Sequence, residues 1–274
     1  MTDNSRQIQS PSFILPVEDK EFLLKREELR GLRFSIEYAK ADLILRDWGI
    51  RSTIIVFGSS RIPSPERAAR LLNEAVNPAQ KAKAELAAYW VRYYDEARKF
   101  GRIVSLEGGA LNPLEGIRDN VIATGGGPGI MEAANRGASE AGAPNIGFNI
   151  TLPGEEQPNA YSTPDLTFRF HYFAMRKMHL AMRARALAIF PGGFGTMDEL
   201  FEILTLQQTE KATQVPIVLV GKDYWRRVVD FEMMAESGMI EPDSLKIFDI
   251  VDSAEEAWET LKSRGLKRAN EKRA

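Results

Sequence analysis

The sequence predicts an α/β protein: a Rossmann-like doubly wound parallel sheet with helices on both faces, preceded by an N-terminal helical extension. Two observations support this prediction. Short apolar runs of strand length alternate along the chain with longer segments of helical period, which is typical of a parallel sheet covered by helices. Three of these runs end in glycine or serine, and the carboxyl ends of parallel strands are where such folds bind ligands.

The first 50 residues precede the predicted sheet. Residues 1–17 are polar, contain two prolines and show no period, so we predict a flexible tail. Residues 18–50 form the helical extension, with the helix at 18–48. Its apolar residues recur at steps of three and four, and we expect them to pack on the main domain. They are Leu29, Leu32, Ile36, Ala39 and Leu43.

The alternating elements lie in residues 51–268, which we predict to be one domain followed by a solvated tail at 269–274. Strands are predicted within 52–60, 120–129, 145–153, 186–193, 215–221 and 248–252. Helices are predicted at 78–108, 130–142, 173–183, 197–208, 224–237 and 254–267. Gly101 lies inside the long helix at 78–108, where glycine is less favourable than alanine by about 1 kcal/mol.

Composition excludes several classes of site. The chain of 274 residues has no cysteine, which excludes a thiol nucleophile, a disulfide framework and a thiolate metal site. Its two histidines, His171 and His179, are too few for a multi-histidine metal site. We therefore expect catalysis to use carboxylates, arginine and backbone amides, with no metal and no cofactor.

The net charge and the hydropathy of the sequence indicate which partners and which cellular location to expect. The net charge of −2 creates no basic field for nucleic acid or an anionic membrane. The sequence also lacks a signal peptide and an apolar run of about 18 residues that could span a bilayer. We expect a cytoplasmic protein that binds neither nucleic acid nor membrane.

Three glycine- or serine-rich turns follow predicted strands: "VFGSS" at 56–60, "ATGGGPG" at 123–129 and "FPGGFGT" at 190–196. A glycine turn that opens a helix presents free N–H groups and the positive end of the helix dipole, which suits a phosphate or carboxylate. A single turn of this kind is more often a simple strand-to-helix connection. Three that converge on one sheet edge favour an anionic ligand.

The spacing of the glycines disfavours two common nucleotide sites. The dinucleotide fingerprint requires a different glycine spacing and an acidic residue at the end of the next strand, and residues 145–151 end without one. A P-loop requires a G-K-[ST] sequence after the glycine run, which is absent here. A mononucleotide or a sugar phosphate fits the turns better than NAD or hydrolysable ATP.

Two charged side chains are candidates for chemistry in this crevice. The Thr196…Glu199 spacing is a capping box with Thr196 as N-cap, and the same spacing holds Glu199 at the mouth of the crevice. Arg176 lies on the predicted helix before the 190–196 turn, and it could face the crevice or a solvated surface. His179, on the same stripe, is interpreted as structural.

Two short motifs stand at a fixed spacing: "MRK" at 175–177 precedes "PGGFGTMDE" at 191–199, with the arginine and the glutamate 23 positions apart. These paired motifs resemble those of the Lonely Guy family, and the similarity extends over about 54–220. The family's histidine before R-K is absent, which leaves the preferred base open. The resemblance implies hydrolysis of the N-glycosidic bond of a nucleoside 5′-monophosphate, such as AMP or a cytokinin riboside 5′-monophosphate. Family members are often labelled lysine decarboxylases, yet no lysine here has the distinctive setting of a Schiff-base residue.

The resemblance also implies roles for individual residues and at least a homodimer. Arg176 and Glu199 would be catalytic. Substrate contacts would come from Ser59, Ser60, Gly125, Gly126, Gly127, Glu156 (or Glu155), Met175, Lys177, Gly192, Gly193, Gly195, Thr196 and Thr205. The alternatives are a non-catalytic carrier or sensor of a nucleotide or cofactor and, less favoured, an assembly protein with an inert pocket. The Arg176/Glu199 pair favours an enzyme, because a carrier has no need of a glutamate beside the glycosidic bond.

Overall fold

A computed structural model describes residues 4–151, 157–211 and 213–267. Seven parallel strands form one sheet in the order β4-β3-β2-β1-β5-β6-β7. The strands are β1 Thr53–Phe57, β2 Val121–Thr124, β3 Ile146–Ile150, β4 Thr167–Phe170, β5 Ala184–Ile189, β6 Ile217–Val220 and β7 Phe248–Val251. The strand order reverses direction between β1 and β5, so the predicted doubly wound α/β fold is confirmed.

The described residues also form eleven helices. They are α1 Ser5–Ile8, α2 Lys20–Lys25, α3 Arg30–Asp47, α4 Pro65–Glu74, α5 Pro78–Glu107, α6 Ile130–Glu140, α7 Phe173–Met182, α8 Phe194–Gln208, α9 Lys222–Val228, α10 Phe231–Glu236 and α11 Ala254–Ser263. Helix α4 was not anticipated from the sequence. Among the described helices, none combines the length and the apolar character needed to cross a membrane.

Two hydrophobic cores lie on opposite faces of the sheet. In β1, Ile54 and Val56 pack in one core with residues of α5, α6 and α11. Ile55 and Phe57 point the other way and pack with residues of α3, α7, α8, α9 and α10. Successive side chains of a strand point to opposite faces, so a short run of apolar residues can supply both cores.

Close contact between α5 and α6 explains the glycine in the middle of the long helix. A Cβ atom built at Gly101 would lie 2.2 Å from the carbonyl oxygen of Ala134 on α6. A Cβ at Gly137 would lie 1.9 Å from the carbonyl oxygen of Arg98 on α5. The two helices approach each other through their glycines, which offsets the low helix propensity of Gly101.

The helix predicted in the N-terminal extension differs from the one observed. The continuous helix at 18–48 is wrong, because a break at Arg26 separates α2 from a 3₁₀ turn and α3. The Arg33 guanidinium stabilises this break by donating to the carbonyls of Leu23 and Arg26 at 2.9 and 2.8 Å. The predicted tail at 1–17 contains α1 and a 3₁₀ turn, and its described side chains are exposed or half-exposed.

The apolar stripe predicted to pack on the main domain is also wrong. Leu32, Ile36 and Leu43 are 47%, 50% and 56% exposed, whereas Ala41 and Leu45 are buried. Helix α3 turns a mixed polar and aromatic face toward α7, so the spacing of its leucines did not indicate its buried side.

A second predicted helix is divided. The helix at 224–237 consists of α9 and α10, because the chain is extended at Val229 and Asp230 starts a new helix. The Asp230 carboxylate accepts a hydrogen bond from the Met233 amide at 2.9 Å and caps α10.

Candidate active site

A crevice lined by the candidate residues opens where β1 and β5 end, at the reversal of strand order. Its volume is about 670 Å³. One wall is formed by residues 57–61 after β1, and another by residues 192–199 after β5. The remaining lining residues come from three helices, α6, α7 and α9: Met131, Phe173, Arg176, Tyr224 and Val228. This is the position at which open α/β sheets bind ligands.

The turn after β5 delivers the start of α8 to the crevice. The helix begins at Phe194, with Gly193 as its N-cap, so the predicted capping box with Thr196 as N-cap is wrong. Thr196 instead lies in the first turn, where its amide donates to the Gly193 carbonyl at 3.0 Å. The amides of Phe194 and Gly195 have no acceptor among the described residues, as expected at a helix start.

Gly192 and Thr196 pack against each other inside this turn. A Cβ at Gly192 would lie 2.0 Å from Thr196 Oγ1, which only glycine avoids. Thr196 is buried, whereas Phe194 is 96% exposed at the mouth of the crevice. The packing of Gly192 against Thr196 therefore fixes the buried side of the turn, whereas the side that bears Phe194 is open to solvent.

Arg176 extends from α7 to the crevice, and its guanidinium is fixed by the Phe148 carbonyl and packs against the turn at Gly125. Its Nε donates to the Phe148 carbonyl at 2.9 Å, and a Cβ at Gly125 would lie 2.5 Å from its Nη2. Burial lowers the pKa of Arg176, while the carboxylates of Glu199 and Asp198 oppose that shift. The glycine turn after β2 thus provides space for a buried guanidinium.

Glu199 lies on α8 opposite Arg176 and is 6% exposed. Its Oε1 is 3.6 Å from Arg176 Nη1, beyond hydrogen-bond distance, and this ion pair is its one polar contact with the described residues. Burial raises the pKa of the Glu199 carboxyl, and the positive charges of Arg176 and Lys177 partly offset this effect. A poorly solvated carboxylate with a raised pKa is suited to act as a base or to stabilise a developing positive charge.

Tyr224 was not identified from the sequence. Its hydroxyl donates to the Gly192 carbonyl at 2.5 Å and so ties α9 to the turn that starts α8. No motif marks this tyrosine. The one available signal was its place just after the carboxyl end of β6, at the same sheet edge as the crevice.

The other predicted site residues divide into two groups. Ser59, Ser60, Gly192, Gly193, Gly195 and Thr196 line the crevice with Arg176 and Glu199. Gly125, Gly126 and Gly127 are buried and do not line it. Asn159 holds this second turn by hydrogen bonds to the carbonyls of Gly126 and Gly127, at 2.9 and 3.1 Å.

Three more predicted contacts lie away from the crevice. Lys177 forms ion pairs with Asp198 and Glu202, at 2.7 and 2.9 Å. Met175 packs against the core beneath α7. The exposed Thr205 hydroxyl donates to the Phe201 carbonyl of its own helix at 2.7 Å. Glu155 and Glu156 lie outside the described residues.

The chain is similar to known proteins in sequence and in fold. Residues 131–261 match a family described as "possible lysine decarboxylase". A pyrimidine/purine nucleotide 5′-monophosphate nucleosidase of Escherichia coli (strain K12) is 29% identical over 42% of this chain and 28% of its own length. A probable cytokinin riboside 5′-monophosphate phosphoribohydrolase of Oryza sativa subsp. japonica is 27% identical over 50% of this chain and 60% of its own length.

Among solved structures, the molybdenum cofactor binding protein of Rippkaea orientalis matches 78% of this chain and 98% of its own, at 22% identity and a TM-score of 0.49. That likeness is too distant to bear on function. The matches to the two curated relatives also cover less than two thirds of those proteins. The family match over residues 131–261 and the two curated relatives nevertheless agree with the paired arginine and glutamate motifs, and the chain is similar to the Lonely Guy family.

Proposed function

We propose that the protein hydrolyses the N-glycosidic bond of a nucleoside 5′-monophosphate and releases the free base and ribose 5-phosphate. The observation that supports this proposal best is the pairing of Arg176 with Glu199 across 3.6 Å in a crevice that also contains the start of α8. The crevice thus offers an anion site and a buried carboxylate within reach of one small ligand.

The 5′-phosphate is assigned to the turn that begins α8. The amides of Phe194 and Gly195 are available there, and the helix dipole favours a negative charge at this end. Ser59 and Ser60 lie in the loop after β1 and supply hydroxyl groups from another wall of the crevice. A phosphate bound in this way would place its ribose over Glu199, one turn further along the helix.

Cleavage of the bond between C1′ and the base nitrogen builds positive charge on the ribose ring, as in the hydrolysis of other glycosides. The Glu199 carboxylate would stabilise that charge and accept a proton from the attacking water. The electron pair of the broken bond goes to the base. Overall, the hydroxyl of the water joins C1′ and its proton ends on the base.

Arg176 has two roles in this proposal. Its charge keeps the Glu199 carboxyl more acidic than burial alone would allow. Its guanidinium also holds the substrate against Glu199, since the bond from Nε to the Phe148 carbonyl leaves Nη1 facing Glu199. Arginine suits this task because its charge persists when it is buried.

A decarboxylase activity receives no support from the site. A pyridoxal enzyme needs a lysine that forms a Schiff base with the cofactor. None of the described residues that line the crevice is a lysine. The nearest candidate, Lys177, is occupied by two carboxylates of α8.

The proposal is tested with AMP and a panel of other nucleoside monophosphates, with free base measured by chromatography. We expect release of base from at least one nucleotide. Glu199→Gln should lower kcat by about 10³-fold, within the range for loss of a general base, and should retain binding of AMP by calorimetry. Glu202→Gln is the matched control, because Glu202 lies one turn later on α8, outside the crevice, and should change kcat by less than about threefold.

The outcomes separate the hypotheses. Retained hydrolysis in Glu199→Gln would contradict the role of this carboxylate. Absence of base release from every nucleotide, with AMP still bound, would instead support a carrier or sensor. Equal losses in Glu199→Gln and Glu202→Gln would point to a general disturbance of α8.

A further inference from the structure

Helix α7, which bears Arg176, has no N-terminal cap of its own. Its N-cap residue is Tyr172, which makes no side-chain capping bond, and its first turn contains no acidic residue. The first amides of a helix require acceptors from elsewhere. Leaving them unpaired would allow the first turn of a helix of only ten residues to fray.

An acceptor for the start of α7 comes from α3 in the N-terminal extension, at the N-cap residue Tyr172 and at His171 before it. One carboxylate oxygen of Glu37 accepts a hydrogen bond from the His171 amide at 2.8 Å, and the other accepts from the Tyr172 amide at 3.3 Å. A carboxylate at this end also interacts favourably with the helix dipole. Glu37 therefore caps α7 from a different helix.

Further contacts between α3 and α7 reinforce this end. Arg33 Nε donates to the Tyr172 hydroxyl at 2.9 Å, and the Phe34 ring packs edge-on against the Tyr172 ring at 4.2 Å. The entry of the chain into α7 is thus fixed both at the backbone and at the side chain of Tyr172.

The other end of α7 is held by the same helix. The C-cap residue Arg183 donates to the buried carboxylate of Asp42 at 2.6 Å. Between the two ends, the ring of the buried His179 stacks on Tyr38 at 5.4 Å. Helix α3 therefore contacts α7 at both ends and at His179 between them.

The position of α7 determines where the Arg176 guanidinium lies. Arg176 is in the first turn after the capped end, and its amide donates to the Tyr172 carbonyl at 3.2 Å. Its separation from Glu199 is 3.6 Å, so no direct hydrogen bond locks the pair together. A small displacement of α7 would change this separation directly.

We propose that α3 belongs to the catalytic apparatus, with Glu37 as a positioning residue that holds the Arg176 helix against Glu199. This inference rests on the proposed hydrolysis of nucleoside monophosphates. It gives the N-terminal extension a function in the reaction, although its residues do not line the crevice.

The cap itself is tested without substrate. Hydrogen exchange measured by mass spectrometry should be about fivefold faster in residues 171–178 of Glu37→Ala than in the wild-type protein, as expected for loss of one cap. Asp47→Ala is the matched control, since it removes another carboxylate of α3 that has no bond to α7, and its exchange at 171–178 should match the wild-type rate. Unchanged exchange in Glu37→Ala would overturn the cap.

The catalytic consequence is tested on the nucleotide that the wild-type protein hydrolyses. Glu37→Ala should lower kcat about tenfold, because a small misplacement of a catalytic group is costly, with KM changed less than about threefold. Glu37→Gln, which keeps one acceptor oxygen, should restore most of the rate. In an Arg176→Met background, Glu37→Ala should cause no further loss, because its effect acts through Arg176.

Two results would overturn the positioning role: faster exchange in α7 with unchanged kcat, or an equal further loss in the Arg176→Met background. Absence of hydrolysis by the wild-type protein would overturn the proposed function and, with it, the catalytic part of this inference. The exchange experiment would still decide whether Glu37 caps α7.

Discussion

Glu199 is the side chain on which most of the proposed chemistry depends, and its surroundings predict a pH dependence. The carboxylate form is the active one, and burial raises its pKa above the ordinary value of 4.5. Activity should therefore fall as the pH drops through a pKa higher than 4.5, and it should be complete above that pKa. A profile of kcat/KM against pH measures this acid limb.

The same profile tests the influence of Arg176. Its charge lowers the pKa of Glu199, so the residual activity of Arg176→Met should show an acid limb at higher pH than the wild-type protein. Arg176→Lys keeps a positive charge and serves as the control, with a smaller displacement. An acid limb at or below 4.5 in the wild-type protein would contradict the buried setting of the carboxylate.

At this scale the sequence identified positions, and the structure showed what packs around each of them. The motif spacing singled out Arg176 and Glu199, and the structure brings them together in one crevice. The same reasoning made Gly125 a substrate contact, whereas its lack of a side chain provides room for the Arg176 guanidinium. A motif shows that a position requires glycine. Which neighbouring side chain needs the space left by the glycine is known only from the folded structure.

Among the elements, the contact between α5 and α6 gives a direct test of packing. Gly101→Ala should destabilise the protein by about 1–3 kcal/mol, because the new Cβ would collide with the Ala134 carbonyl and overpack the interface. Gly31→Ala is the matched control on α3, where nothing lies within 4 Å of the Cβ position. It should stabilise the protein by up to about 1 kcal/mol through helix propensity and a less flexible unfolded chain.

Thermal or urea denaturation of both variants measures the two free energies of unfolding. Opposite signs are expected. If Gly101→Ala stabilised the protein as Gly31→Ala does, the close approach of α5 and α6 through their glycines would be contradicted.

Most helices and strands of the α/β domain were predicted, because their apolar residues are buried for the reason that the period assumes, whereas α4 and β4 were not predicted. Helix α3 was predicted badly because its partner is α7, a helix that presents charged and aromatic groups. The buried Asp42 is satisfied by Arg183, and no apolar period marks such a contact. The start of α8 was misplaced because a Thr-x-x-Glu spacing resembles a capping box wherever it occurs.

For the whole molecule, truncation tests how the predicted domain boundaries divide the chain. Removal of residues 1–17 should leave hydrolysis unchanged and the free energy of unfolding within about 0.5 kcal/mol, because the described side chains there are exposed or half-exposed. Removal of residues 1–49 should prevent stable folding. It deletes the buried Ala41 and Leu45 and leaves the Arg183 guanidinium without Asp42.

Circular dichroism during heating, together with the assay of base release, measures both truncations. A large loss of stability on removal of 1–17 would show that the tail packs on the body. A stable, folded protein without residues 1–49 would contradict the part that α3 plays in the core. The predicted homodimer and cytoplasmic location remain predictions.

The sequence alone determined the fold class, the family resemblance and the pair of charged residues proposed for catalysis. Each of these depends on local composition: the period of apolar residues, the glycines at strand ends and the spacing of two short motifs. Tertiary structure decided the rest. The volume of the crevice, the bond from Tyr224 to Gly192, the room beneath Arg176 and the cap that Glu37 gives to α7 all join residues far apart in the chain. Such contacts have no periodic signal, because they depend on how the sheet brings separate segments together.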